Sequence, residues 1–222
     1  MRYIILFILV FTFNGCSPKN LDNTVENMMI SLSGNEPSQS FRVANLQTMK
    51  DYVFNTKDFS FSLPYATKED FSKMGGWDGM SMRDGKTIVL GLRNSIVYHI
   101  ELSVSKKAYT DRERAIENGN VAYLHSVIKI DDTDKLYIKK FGKEQYSCTV
   151  MEYTNVEYPS KKYTGYECYK HNNKGQSKSV HIRLTYNKPN NLIIAKDYTY
   201  EDLQQRAKRM LDSLYIKDGW DD

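Results

Sequence analysis

The sequence predicts an α+β fold in which an antiparallel β-sheet is packed against two helices. The first observation is the alternation of apolar and polar residues over 96–104 and again over 178–186, as in strands that bury one face. The second is a stripe of apolar residues at helical spacing near the C-terminus. Once an N-terminal leader is set aside, the remaining length is that of one domain.

Strand signals begin soon after residue 41 and are separated by turn signals. A strand of alternating aromatic and serine residues ends at Pro64, because proline cannot donate to a strand ladder. The Gly-Gly-Trp-Asp-Gly stretch at 75–79 predicts a turn. Further strands follow, with predicted breaks at 84–85 and 93–94.

The stretch 109–128 predicts the first helix. It opens with Thr110 and Glu113, which have the spacing of a capping box, although Gly119 and Asn120 interrupt the pattern. Strands then return, and their predicted ranges are 136–141, 145–154, 163–170 and 178–186.

The last element is predicted to be an amphipathic helix. Thr199 is a good N-cap, and Glu201 and Asp202 place negative charge in the first turn, where it suits the helix dipole. The apolar stripe predicts that this helix packs on a sheet through Leu203, Ala207, Met210, Leu211 and Leu214.

The N-terminus has the pattern of an export signal. Arg2 precedes an apolar run over 3–13, which is too short for a membrane span of about 20 residues but suits a signal peptide cleaved after Gly15. The next residue is Cys16. Alternative interpretations are an ordinary secretory signal followed by a chance cysteine, or an uncleaved anchor.

The segment Phe-Asn-Gly-Cys at 13–16 resembles the lipobox of bacterial lipoproteins. The resemblance implies that the Cys16 thiol carries a diacylglycerol and that the new N-terminus is acylated, which exceeds the two signals needed for stable anchoring. Ser17 stands where an aspartate commonly retains a lipoprotein in the inner membrane, so the implied location is the outer membrane, facing the periplasm. The expected organisation is a signal peptide at 1–15, a lipid-anchored flexible tether at 16–40 and one periplasmic domain at 41–222.

Two cysteines remain, Cys148 and Cys168, and both lie in strand-like segments. In an oxidising compartment the pair predicts one disulfide. If the two segments form a hairpin, the cysteines lie opposite each other and Val150 faces Tyr166. The alternative is two buried free thiols.

Two segments of the chain resemble the DcrB-like lipoproteins of enterobacteria, which have a PsbP-like fold. The first is KDFSFSLPYATKEDFSKMG at 57–75, and the second is LQQRAKRMLDSLYI at 203–216. The resemblance implies an α/β sandwich of an antiparallel sheet and helices, and a role in the cell envelope. This fold is also similar to domains of lipoprotein immunity proteins that neutralise interbacterial phospholipase toxins.

The sequence contains no recognisable catalytic, cofactor or metal motif. Its net charge of +4 is too mild to indicate nucleic acid binding.

His99 and His181 alternate with apolar residues and are predicted to point away from the core; solvated strand positions explain them better than a metal or acid–base pair. The aspartates of 131–134 predict a surface turn rather than a calcium loop, because the glycine and distal glutamate of that loop are missing.

The 17 tyrosines favour a binding role, because tyrosine is an effective interface residue. The candidate partner-binding residues are Tyr153, Tyr158 and Tyr163 in the cysteine hairpin and Arg183 on the outward face of a strand. The alternatives are tyrosines at the sheet edge and an ordinary polar strand position for Arg183.

The predicted function is non-catalytic binding of a protein partner, as by an immunity protein against a secreted antibacterial toxin. The alternative is an accessory factor in envelope homeostasis or uptake.

Overall fold

The fold is known from a computed structural model, which describes residues 39–42, 52–74, 76–81, 87–92, 97–154, 157–190 and 196–220. The predicted signal peptide at 1–15, Cys16 and most of the predicted tether lie outside these residues. The predicted strand breaks at 84–85 and 93–94 also lie outside them.

Eleven strands and four helices lie in the described part of the chain. The strands are β1 (Gln39–Arg42), β2 (Val53–Asn55), β3 (Phe59–Ser62), β4 (Trp77–Ser81), β5 (Thr87–Leu92), β6 (Tyr98–Ala108), β7 (Lys135–Phe141), β8 (Tyr146–Thr154), β9 (Lys161–His171), β10 (Gln176–Asn187) and β11 (Tyr215–Ile216). The helices are α1 (Lys68–Met74), α2 (Asp111–Glu117), α3 (Val121–Val127) and α4 (Tyr200–Ser213).

The strands form two open antiparallel sheets, so the predicted α+β class is confirmed. The large sheet has eight strands in the order β1-β4-β5-β6-β10-β9-β8-β7, and the small sheet has the order β11-β3-β2. The expectation of two helices is wrong, because the described residues contain four. The helix α1 was not predicted, and the stretch predicted as one helix from Thr110 is divided into α2 and α3.

Two glycine signals in the sequence had different outcomes: Gly119 divides the predicted helix, whereas the glycines around Trp77 do not form the predicted turn. Gly119 has φ +70°, a conformation that ends α2 and that glycine adopts without cost, and Asn120 then caps α3 by accepting a hydrogen bond from the Tyr123 amide at 3.0 Å. The predicted turn at 75–79 is instead largely the strand β4, because Trp77 is buried and stacks on Tyr98. Burial of a large aromatic side chain outweighs the local glycine signal.

The main core lies between one face of the large sheet, the small sheet and α4. The alternation predicted for β6 and β10 is confirmed. The apolar residues are buried over Tyr98–Leu102 and Val180–Tyr186, whereas Val104 in β6 is half-buried. The predicted N-cap is present, since the Thr199 hydroxyl accepts from the Asp202 amide. All five residues of the predicted α4 stripe are buried in this core.

The cysteine hairpin also forms as predicted. Cys148 and Cys168 are directly paired across β8 and β9, and Val150 is paired with Tyr166. The two cysteines are joined by a disulfide, and both are completely buried on the core face of the sheet. The bond therefore fixes the register of the hairpin.

A buried ion-pair network ties α1 to α4. Asp70 is fully buried and accepts hydrogen bonds from Arg206 at 2.5 Å, Tyr198 at 3.0 Å and the Thr67 amide at 2.7 Å. Arg206 also donates to Asp202 at 2.5 Å. Both oxygens of Asp70 are therefore satisfied, which a buried carboxylate requires.

We expect the double variant Cys148→Ala/Cys168→Ala to lose about 3 kcal/mol of unfolding free energy, because the disulfide closes a loop across 20 residues of sequence. Urea denaturation followed by circular dichroism measures the change. The wild-type protein unfolded in a reducing agent should approach the same midpoint. An unchanged midpoint in the variant would show that the crosslink adds no stability.

We expect Arg206→Met to destabilise the protein by about 3–5 kcal/mol, because it leaves the buried Asp70 without its cation. Lys208→Ala on the same helix removes only an exposed ion pair with Asp212 and should cost less than about 1 kcal/mol. A double variant Asp70→Asn/Arg206→Met should recover part of the loss. Equal effects of the two single variants in thermal unfolding would contradict the assigned importance of the network.

Candidate functional site

A cavity of about 620 Å³ lies on the face of the large sheet opposite α4. We call it the sheet groove. It is lined by Glu101, Ser103, Ser105, Arg112, Ile128, Leu136, Thr149, Met151, Tyr153, Gly165, Tyr166, Glu167, His181, Ile182 and Arg183.

Strand register brings the outward side chains of the groove into two cross-strand rows. One row is Met151, Gly165, Arg183 and Glu101, taken across β8, β9, β10 and β6. The neighbouring row runs through the same strands and contains Thr149, Glu167, His181 and Ser103. Each row crosses from β8 to β6, so residues far apart in sequence share one surface.

Gly165 forms the floor of the groove in the centre of its row. A Cβ atom added there would have no neighbour closer than the Met151 carbonyl oxygen at 4.0 Å. Glycine is therefore not required by crowding at this position. The missing side chain leaves space between Met151 on one side and Arg183 on the other.

The helices α2 and α3 form the second wall of the groove. They pack on the outer face of the sheet through a small apolar cluster formed by Ile116, Leu124, Leu136 and Tyr169. Arg112 at the start of α2 and Ile128 after α3 line the groove. The helix pair thus leaves the groove between itself and the strands β6 and β10.

Glu167 is the centre of the polar side of the groove. Its carboxylate accepts from Arg112 Nη2 at 2.7 Å and lies 3.5 Å from Lys107 Nζ and 3.4 Å from His181 Nε2. Lys107 also pairs with Glu113 at 2.9 Å. Burial by itself would raise the pKa of Glu113, but hydrogen bonds from Thr110 and Lys107 lower it to about 2. Glu113, which was predicted as part of the capping box, therefore also belongs to the ion-pair cluster around Glu167.

His181 joins this cluster through its ring nitrogen. Nε2 lies 3.0 Å from the Ser179 hydroxyl and 3.3 Å from the Ser105 hydroxyl. Burial lowers the pKa of His181, and Lys107 and Arg112 act in the same direction, whereas Glu167 raises it. The imidazole is therefore neutral at pH 7, and the groove contains a polar ring rather than a further cation.

Three of the four predicted partner-binding residues come together at this site. Arg183 lines the groove and donates to Glu101 at 2.5 Å. Tyr153 also lines it and stacks on Tyr163 across the hairpin, with ring centroids 4.8 Å apart. Tyr158 is not among the lining residues; it is exposed near the far end of the hairpin, with Lys161 Nζ 5.0 Å from its ring.

Sequence reasoning missed the role of Glu167, Arg112 and Lys107. The available signal was the outward position of Glu167, which lies on the opposite face from Cys168 in β9. His99 and His181 alternate with the core residues of their strands, as predicted, but both are half-buried rather than fully solvated, and only His181 lines the groove. The aspartates of 131–134 form the predicted turn, in which the Asp134 amide donates to the Asp131 carbonyl oxygen.

The described residues contain neither a metal-binding cluster nor a membrane-spanning helix. No three histidine, cysteine, aspartate or glutamate side chains there are grouped as a metal site would require. No helix among these residues has the length and apolar character needed to cross a membrane.

Comparison with known proteins does not assign the chain to a family. No family model and no curated protein matches it. A crystal structure of a protein from Bacteroides thetaiotaomicron is similar over 83% of this chain and 50% of its own, with 11% identity and a TM-score of 0.38. This chain therefore spans half the length of that protein.

We expect His181 to titrate below its ordinary pKa of 6.5, because burial disfavours the imidazolium. The neutral form then contributes stability above the unfolded-state pKa, and this contribution is lost as the pH falls below it. Glu167→Gln should lower the pKa further, since Glu167 acts to raise it. NMR titration of the ring protons checks both statements, with the urea-unfolded chain as the reference; a value at or above that reference would contradict them.

Proposed function

We propose that this chain is a non-catalytic binding protein that holds a segment of a protein partner in the sheet groove. The observation that carries the proposal is an open cavity of about 620 Å³ that combines Tyr153, Arg183 and apolar side chains. Cavities of this size, about 300–1,000 Å³, are typical of binding sites. Tyrosine and arginine are also the residue types that dominate the energetics of interfaces.

The rigidity of the hairpin supports binding. The disulfide joins β8 to β9 beneath the groove, and the stacked Tyr153 and Tyr163 lie on the same two strands. A surface that is already ordered loses less conformational entropy when a partner binds. The paired tyrosines can therefore provide contact area at low cost.

The proposed compartment is the cell envelope. The leader at 1–15 and Cys16 support lipid anchoring in the outer membrane, facing the periplasm, and the disulfide suits an oxidising compartment. In this setting we propose that the partner is a secreted antibacterial toxin and that the chain acts as its immunity protein.

The second candidate function is that of an accessory envelope factor. It is favoured by the resemblance of the segments 57–75 and 203–216 to DcrB-like lipoproteins. An immunity protein should form a one-to-one complex with a toxin encoded beside it. An accessory factor should instead produce an envelope defect when its gene is deleted and have no neighbouring toxin gene.

We expect Gly165→Leu to abolish partner binding while leaving the fold intact, because the side chain would extend into the groove and its Cβ atom would meet no atom closer than 4.0 Å. Binding is measured by capture from envelope extract with the full chain as bait, followed by size-exclusion chromatography of the purified complex.

Gly91→Leu is the matched control for this test. Gly91 lies on β5 in the same sheet, outside the groove, and a Cβ there makes an ordinary contact with the Tyr98 carbonyl oxygen at 3.4 Å. A partner retained by Gly91→Leu and lost by Gly165→Leu supports the proposal. A partner retained equally by both variants would place binding elsewhere on the molecule.

A further inference from the structure

We infer that the partner segment in the sheet groove presents a carboxylate flanked by apolar side chains, and that Arg183 binds this carboxylate. The inference rests on the proposed function and specifies the chemistry of the partner. Three features of the groove carry it: the difference between its two walls, the exposure of its charges and the spare hydrogen-bond donors of Arg183.

The two walls of the groove differ in polarity. Ile128, Leu136 and Met151 are on the side of β7, β8 and the helix pair, whereas His181 and Arg183 are on β10. Gly165 on β9 separates the two sides. A segment that fills the groove therefore buries apolar groups on one side and meets hydrogen-bond donors on the other.

The cations of the groove and of the ion-pair cluster beside it are more exposed than the carboxylates that neutralise them. Side-chain exposure is 54% for Arg183, 39% for Arg112 and 34% for Lys107. It is 33% for Glu101, 11% for Glu167 and 1% for Glu113. The numbers of positive and negative charges are equal, but the negative ones lie deeper, so an incoming group meets mainly positive charge. This arrangement complements an anion.

Hydrogen-bond capacity points in the same direction. Among the described residues, Arg183 donates one hydrogen bond, from Nη2 to Glu101, although a guanidinium carries five N–H groups. Both oxygens of Glu167 already have basic partners. Arg183 therefore has further N–H groups to offer, and a carboxylate could bind it through two parallel hydrogen bonds.

Arg183 is better suited to this role than Arg112. Arg112 is paired with the largely buried Glu167, and moving it would leave that carboxylate with a weaker set of partners. Arg183 is paired with the more exposed Glu101, and exposed pairs are weak enough to exchange. A partner carboxylate can join or replace Glu101 on Arg183 without disturbing the fold.

The test is selection of random-sequence nonapeptides displayed on phage against the full chain, with peptides that also bind Gly165→Leu removed. We expect the enriched peptides to share an aspartate or glutamate between apolar residues. Changing that residue to its amide should weaken binding about ten-fold, as measured by fluorescence anisotropy.

Two arginine variants then identify the acceptor of the carboxylate. Arg183→Gln should reduce the acid-to-amide difference to less than about two-fold. Arg114→Gln should retain it, because Arg114 is an exposed arginine on α2, paired with Asp111 and outside the groove lining. The acid-to-amide comparison is made on wild-type protein, so it does not depend on the folding of the two arginine variants.

The remaining outcomes distinguish failure of this inference from failure of the proposed function. Groove-dependent peptides without a shared acidic residue would overturn the inference but leave the proposed function standing. An acidic preference that survives Arg183→Gln would overturn the assignment of Arg183. If no peptide prefers the wild-type chain to Gly165→Leu, both the inference and binding in the groove are wrong.

Discussion

The alternation of side chains along a β-strand is the constraint on which this structure depends. In β10, Val180, Ile182 and Leu184 point to the core, so His181 and Arg183 must point to the opposite face. The helix α4 and the small sheet cover the apolar face. The polar face is covered in part by α2 and α3, and the groove is the part of that face left between the helix pair and β6 and β10.

The disulfide matters to the groove even though it lies on the other face. A shift of one residue in the pairing of β8 and β9 would turn every side chain of one strand to the wrong face. The link between Cys148 and Cys168 prevents such a shift. It therefore keeps Met151 beside Gly165 and Thr149 beside Glu167, which sets the spacing between the apolar and polar walls.

The sequence was sufficient to predict features that depend on local pattern. The strands β6 and β10, the helix α4 and the pairing of Cys148 with Cys168 each follow from periodicity or spacing within a short stretch. The groove cluster could not be predicted in this way, because Lys107, Glu113 and Glu167 come from β6, α2 and β9 and meet only through tertiary packing. The turn predicted from the glycines around Trp77 was wrong for the same reason, because burial of the Trp77 indole depends on tertiary packing and not on the local sequence.

The ion pairs of the groove also affect how firmly it is held. Glu113 is buried and engages Thr110 and Lys107, and Lys107 in turn approaches Glu167. These contacts connect the start of α2 to the sheet, and they therefore hold the helical wall of the groove, which contains Arg112, in position. Because the buried carboxylates are already neutralised within the chain, the proposed partner would not have to compensate them. In the proposed complex, the partner would instead contact the more exposed Arg183, while the buried ion pairs keep the groove in place. A binding surface that is already held in place loses less entropy when a partner binds.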